Sequence, residues 1–364
     1  MDLLISNSRA SYYIGGTEVV SMHQVEHLAR FGHNILYVVR QVPEESKSEY
    51  FTDFEQRVRR DELPIEIARV AIDAPFGNGH SWDIWNEEAR CFGEAAQGVY
   101  TSAMRKADAS ISHMSADALY LPDSKPQILH LHGSPKQRDE LIDESMEHPT
   151  RTVAHAESIK QWWHNHYPDV PMDIFRNGVP FETFEHPVES DRPIDILYVG
   201  RLLAHKGVHD ILAAANAEQK IVIAGSGNER DELQRTIRER SLDAELVDAP
   251  SQAEIIDLYK QSKIFACPSR GKEGVLTTML EAGAAGCAVV TASGSGMTDL
   301  AKHRQNSRVV EPGDVAALSE NFLSLLDDEP ARLRIAKTMQ DEIRENWSWE
   351  KRIKRLAALY EKAL

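Results

Sequence analysis

The chain has 364 residues, 41 of them basic and 57 acidic, for a net charge of −16, with 42% hydrophobic and 27% charged residues. That length exceeds what one hydrophobic core usually serves and points to about two domains. The acidic balance speaks against a general nucleic-acid binder, which needs a basic surface to neutralise phosphates.

The opening MDLLIS is too short for a signal peptide and carries Asp2 where positive charge would be needed, so residues 3–6 read as a first core strand. Gly15-Gly16 then opens a helix whose Met22, Val25, Leu28 and Ala29 recur at helical spacing. Gly32 stops it, and NILYVV (34–39) is the next strand, completing a β-α-β unit. The two glycines let backbone N–H groups approach an anion, although a Gly-Gly pair by itself is more often a plain turn. The segment from Pro43 to Glu62 reads as a loop plus a surface helix, and RVRR (57–60) as a solvated helix face rather than a phosphate site. IARVAI (67–72), ASIS (109–112), QILHLHG (127–133) and RTVAHA (151–156) are further strands. The aromatics of SWDIW (81–85) and QWWHNHYP (161–168) suit buried packing more than stacking on sugar or a membrane surface.

His130 and His132 fall on one face of a strand end. A metal pair would need a third ligand, and none is evident, so no metal site is expected. His132, nearest the Gly133 turn, is the residue expected to reach a ligand. His113 reads as a core or rim histidine.

Between Val179 and Asp195 the chain becomes rich in proline and acid without periodicity, and the inter-domain linker is placed there. The domains expected are thus residues 1–180 and 181–345, followed by a terminal segment, 346–364. A second β-α series follows through DILYVG (195–200), KIVIAG (220–225), ELV (245–247), KIFACP (263–268) and CAVVTA (287–292). The last helix carries Ile353, Leu356, Ala357 and Tyr360 on one face, which must dock. The fold class expected is α/β, two doubly wound Rossmann-like domains. Cys91, Cys267 and Cys287 match no disulfide framework or zinc knuckle and suit a reducing cytoplasm. No run approaches the ~20 apolar residues of a membrane span, which leaves only peripheral membrane contact open.

Open α/β sheets bind ligands beyond the carboxyl ends of their strands. There, VGRLLAHKGV supplies Arg201 and Lys206 from one loop, cations suited to a diphosphate. Glu273 and Gly274 precede a short helix whose free N–H groups can meet phosphate oxygens, and Glu281 inside it can accept from a ribose. Gly283 and Gly286 permit close packing and helix termination.

The set Gly15-Gly16, LHG at 131, NGV at 177, VGR through KG at 199–207, IAGSG from 223 and E-x7-E at 273–281 resembles retaining glycosyltransferases of family 4, which have two facing Rossmann-like domains in the GT-B architecture. The resemblance runs nearly end to end, including the last helix, which in that family returns to the first domain. It implies that Arg201 and Lys206 hold a donor pyrophosphate with help from the Gly16 amide. It further implies that His132 and Glu273 contact the donor sugar, that Glu281 binds the ribose, and that the base lies near Gly225–Gly227. Gly274, Val275, Leu276 and Thr277 would line the donor. The donor is a substrate, and no cofactor or metal is implied; no Asp-x-Asp occurs in the chain.

The activity implied is a hexosyl transfer from a nucleotide-diphosphate sugar, UDP-linked in this reading, to a glycan, lipid-linked or small-molecule hydroxyl. The chain departs from many relatives in reading Glu-Gly-Val-Leu where they read Glu-Gly-Phe-Gly. Its PSRGKEG is also a residue longer than usual. A non-catalytic nucleotide-sugar-binding partner and a UDP-sugar epimerase stand as alternatives. So does a dinucleotide-dependent dehydrogenase, for which GSGNER lacks the third glycine.

Overall fold

The short runs of apolar, β-branched residues become parallel strands, and those in the middle of each sheet are buried on both faces. The structure is a computed structural model that describes residues 1–76, 82–135, 138–271, 273–294 and 296–364, without the side chains of residues 82 and 83. The chain divides into two compact units, Met1–Asn177 with Trp349–Leu364, and Gly178–Ser348.

Among the described residues the first unit holds seven strands: β1 (Asp2–Ser6), β2 (Asn34–Arg40), β3 (Ile65–Val70), β4 (Ala109–Ser112), β5 (Gln127–Leu131), β6 (Arg151–Ala154) and β7 (Met172–Ile174). Their order is β3-β2-β1-β4-β5-β6-β7, and every pairing is parallel. Leu3, Ile5, Ile111, Ile128 and Val153 point into a core that also receives Met22, Val25 and Leu28 from the helix Gly16–Arg30. Trp349, Ile353, Leu356, Ala357 and Tyr360, on the terminal helix Trp349–Glu361, belong to that same core.

The second unit holds β8 (Ile194–Val199), β9 (Ile221–Ala224), β10 (Ala244–Val247), β11 (Ser262–Cys267), β12 (Ala288–Ala292) and β13 (Arg308–Val310) in the order β10-β9-β8-β11-β12-β13. The proline-rich stretch 179–195 is built into this unit: Phe181 and Phe184 are buried in its core. Arg192, 2% exposed, donates to the carbonyls of Pro187, Ser262 and Ala285. In both sheets the first strand sits beside the fourth, so strand order reverses there and leaves a crevice at the carboxyl ends, where ligands of open α/β sheets bind.

Two strands have no counterpart in the sequence reading. β7 and β13 are three-residue edge strands, too short for alternation to register. The remaining strands lie within two residues of their expected bounds.

Among the described residues no helix is long and apolar enough to cross a membrane.

Candidate functional site

In the second unit the reversal of strand order brings the loop after β8 beside the loop after β11. The turn after β8 is shaped by the Tyr198 hydroxyl, which donates to the Arg201 carbonyl at 2.8 Å. It leads through exposed Arg201 to a short 3-10 turn, Ala204–Lys206, that ends on Gly207. Gly207 has φ +75°, and a Cβ there would lie 2.2 Å from the Pro268 carbonyl, so only glycine lets the two loops approach this closely. The backbone N–H of Arg270 donates to the His205 carbonyl at 2.7 Å, and the Arg270 guanidinium forks onto Asp210. These bonds pin the loop carrying Glu273 against the loop carrying Lys206.

The product of that pinning is an ion pair, Lys206 Nζ to Glu273 Oε1 at 2.5 Å. Ser269 Oγ donates to Glu273 Oε2 at 3.0 Å, and His205 Nε2 stands 3.6 Å from Oε1. Burial would push the Glu273 carboxyl up, but bonds from His205, Lys206 and Ser269 and the Lys206 charge together bring it down to about 2. It is ionised at neutral pH and acts as an acceptor.

Glu273 and Gly274 precede the helix Thr277–Ala284, whose N-cap Leu276 makes no side-chain cap, so its first N–H groups are not capped from the side. Val275 and Leu276 pack against the core of the unit, which accounts for apolar side chains at those positions. Glu281 follows one helical turn beyond Thr277. Tyr259 donates its hydroxyl to Glu281 Oε2 at 2.9 Å, while burial raises the carboxyl to about 7 against that bond. Gly283 packs where a Cβ would meet Ile343 Cδ1 at 2.5 Å, and Gly286, with φ +78°, follows the helix end. Gly225 and Gly227 close the turn after β9 against the loop after β8: Leu202 N–H donates to the Ser226 carbonyl at 2.8 Å.

In the first unit Gly15 caps the helix Gly16–Arg30 with extended backbone and no side-chain bond. Its first turn carries buried Glu18, paired with buried Arg9 at 2.6 Å. His132 follows β5 directly. The third histidine that the sequence reading lacked is present: His113 Nδ1 lies 2.9 Å from His132 Nε2, and His113, His130 and His132 have ring nitrogens within 4.8 Å of one another.

RVRR is a paired helix face, with Arg57 on Glu26 and Arg60 on Asp61. Trp163 is buried and donates to the Gly133 carbonyl, and Trp162 stacks on His166. Ser81 and the side chains of Trp82 and Asp83 lie outside the described residues, as does Lys272 of the Glu273 loop. Sequence reasoning missed Ser269, His205, Asp210, Arg270 and Tyr259. Of these, His205 adjoins Lys206, and Ser269 and Arg270 lie in the PSRGKEG run that leads to Glu273.

Residues 181–342, nearly all of the second unit, match the family model described as glycosyl transferases group 1. A glycogen synthase of Mycobacterium tuberculosis is 30% identical over 189 residues, 49% of this chain and 45% of that protein. The chain thus spans about half the length of the curated relatives it matches. Among solved structures, HepE of Anabaena in complex with UDP and glucose aligns over 100% of both chains, with a TM-score of 0.77 and 16% identity. Sucrose-phosphate synthase from Thermosynechococcus elongatus covers 99% of this chain and 98% of its own, with a TM-score of 0.80 and 16% identity. At such identities the likeness establishes the fold. The chain therefore has the GT-B fold, with a second unit that matches the model for glycosyl transferases group 1.

Proposed function

We propose that this protein is a retaining hexosyltransferase of family 4 that moves a sugar from a nucleotide-diphosphate donor, UDP-linked in our reading, to a hydroxyl of a glycan, a lipid-linked acceptor or a small molecule. The observation that carries the proposal is the Lys206–Glu273 pair, set between the carboxyl ends of two neighbouring strands and just before a helix N-terminus, inside the segment that matches the family.

Lys206 and Arg201 offer fixed positive charge to a departing diphosphate, and the helix N–H groups add donors. Such charge stabilises the leaving group as it develops, with no reorganisation at the moment of reaction. Ionised Glu273 accepts from sugar hydroxyls and Glu281 from the ribose, with the base near Gly225–Gly227. Gly16 and His132 of the first unit take the roles the resemblance implies, an amide for the pyrophosphate and a hydrogen bond to the donor sugar. That HepE binds UDP and glucose on the same fold supports the UDP reading. The donor is a substrate rather than a cofactor, and the proposed setting is cytoplasmic, in keeping with three free cysteines.

The test is a thermal-shift titration with UDP, GDP, ADP and TDP, with and without EDTA, followed by turnover of two variants. A nucleotide that binds only the native state raises stability by RT ln(1 + [L]/Kd). Lys206→Ala and Glu273→Ala should each lose about 100-fold or more in kcat while melting cooperatively. Near-normal turnover in both overturns the assignment.

A further inference from the structure

Four histidines meet at the carboxyl ends of β4, β5 and β6, and sheet register puts them there. Ser112 pairs with Leu129 and Leu131 with Ala154, so one step further along His113 stands beside His130 and His132 beside His155. The rings stack accordingly, His113 on His130 at 4.7 Å and His132 on His155 at 4.2 Å. Hydrogen bonds run along the diagonals, His113 Nδ1 to His132 Nε2 at 2.9 Å and His130 Nδ1 to His155 Nε2 at 3.1 Å. His113, His130 and His155 are 3%, 2% and 4% exposed, and His132 is half-buried.

The protons of this cluster follow from its fixed ends. His155 Nδ1 faces the Phe175 carbonyl at 2.9 Å, and a carbonyl only accepts, so His155 carries its proton on Nδ1 and a lone pair on Nε2. His130 must then donate from Nδ1 to that lone pair, which leaves its own Nε2 to accept from the Tyr360 hydroxyl at 2.8 Å. Both nitrogens of His130 are therefore committed. A metal ion on His113, His130 and His132 would have to displace either Tyr360 or His155, although the three nitrogens are close enough to one another.

The remaining diagonal has two assignments. Nε2 of His113 is buried with no hydrogen-bond partner. If His132 donated, that orphaned atom would carry a buried proton with nowhere to go. If His113 donates, it carries only a lone pair. Orphaned buried N–H groups are the rarer case in folded proteins. Burial lowers all four pKa values, His113 to about 3 and His155 to about 4, so one proton per ring is the expected state.

We infer that His113 is a positioning residue that fixes His132 as a neutral imidazole protonated on Nδ1, so that His132 meets a ligand as an N–H donor and never as a base. Because Nε2 of His132 is held by His113, Nδ1 is its one ring nitrogen left to serve a ligand oxygen. In the reading proposed above, on which this role rests, that oxygen is a hydroxyl of the donor sugar. All four histidines of the cluster are then Nδ1–H tautomers.

The test is two-bond 1H–15N correlation spectroscopy on full-length protein labelled at histidine, at pH 7. Four Nδ1–H tautomers are expected, with His113 Nε2 as a bare nitrogen. A proton on His113 Nε2, or micromolar zinc binding that shifts the His113, His130 and His132 signals together, overturns the assignment. No donor is needed for this readout, so its failure is separable from failure of the transferase reading.

Two variants test the positioning itself. His113→Leu should leave the thermal midpoint within a few degrees, lose the single tautomer of His132 and reduce kcat at least tenfold with little change in KM. His113→Asn, which keeps a donor at the position of Nδ1, should restore both the tautomer and most of kcat. If His113→Leu keeps His132 protonated on Nδ1 with full kcat, His113 does not position it. If His113→Leu melts early, the tautomer of His132 in His113→Asn decides the question.

Discussion

At the scale of single residues the two glutamates of E-x7-E are set to opposite ends of the carboxylate range by their surroundings. Glu273, beside Lys206, is held at about 2, and Glu281, buried against Tyr259, is lifted to about 7. Tyr259 sits 22 positions upstream, at the end of the helix Gln252–Lys260, and its hydroxyl is what opposes the burial of Glu281. Removing that hydroxyl in Tyr259→Phe should raise the Glu281 pKa further and leave more of it protonated at neutral pH, where the ribose of the proposed donor would need an acceptor. Nucleotide affinity in the variant should be weaker at pH 7 and recover toward wild type by pH 9, measured by calorimetric titration. An affinity loss that is equal at both pH values would rule out the carboxyl as its origin. Nothing in the sequence marks Tyr259, because its partner lies across a strand and a loop, whereas the glutamate spacing was legible from the string.

At the scale of elements, what the sequence announced was the alternation of strands and helices, and what it withheld was their lateral order. That Lys206 meets Glu273 depends on β8 lying beside β11, and that His113 meets His132 depends on β4 lying beside β5. Neither adjacency is a property of local periodicity, which explains why His113 read as a core or rim histidine with no link to His132. Glycine positions were more legible than their purpose. Gly207 was legible only as the end of the VGR-through-KG run, and its structural role is to let the loop after β8 reach the Pro268 carbonyl. Gly207→Ala should therefore cost about 1–3 kcal/mol in a denaturant melt and should disturb the Lys206–Glu273 pair. Gly283→Val, which drives a side chain into Ile343 and Met339, should cost about 1–3 kcal/mol by overpacking. Because its clash is with the helix Glu329–Asn346 and not with the loops that carry Lys206 and Glu273, turnover per folded molecule should be spared. A Gly207→Ala variant with wild-type turnover would show that the close approach of the loops is not needed for the site.

At the scale of the whole molecule, the buried titrating groups are divided unevenly between the units, and this sets an expectation for acid stability. In the first unit burial holds His23, His113, His130, His132 and His155 below their usual range near 6.5. A histidine depressed in the fold takes up a proton on unfolding, so its contribution is complete above 6.5 and is lost as pH falls toward about 4 for His155 and about 3 for His113. Asp117, raised by burial to about 7, works in the other direction and gains stability on acidification, but it is one carboxyl against those five histidines and His27 and His33, which burial also lowers. In the second unit Glu281 likewise favours the fold as pH drops from 7 toward its unfolded value, and Glu273 gives nothing back until the pH is below 4.5. Between pH 7 and pH 5 the first unit should lose melting temperature while the second holds or gains. Scanning calorimetry of the full chain, with hydrogen exchange resolved by peptide to assign each transition, measures this directly. Peptides from β4, β5, β6 and the terminal helix should exchange first at pH 5, because Tyr360 and the four imidazoles share one cluster of hydrogen bonds and stacked rings. Earlier loss of protection in β8 and β11 would mean that the histidines do not govern the acid limit of the fold.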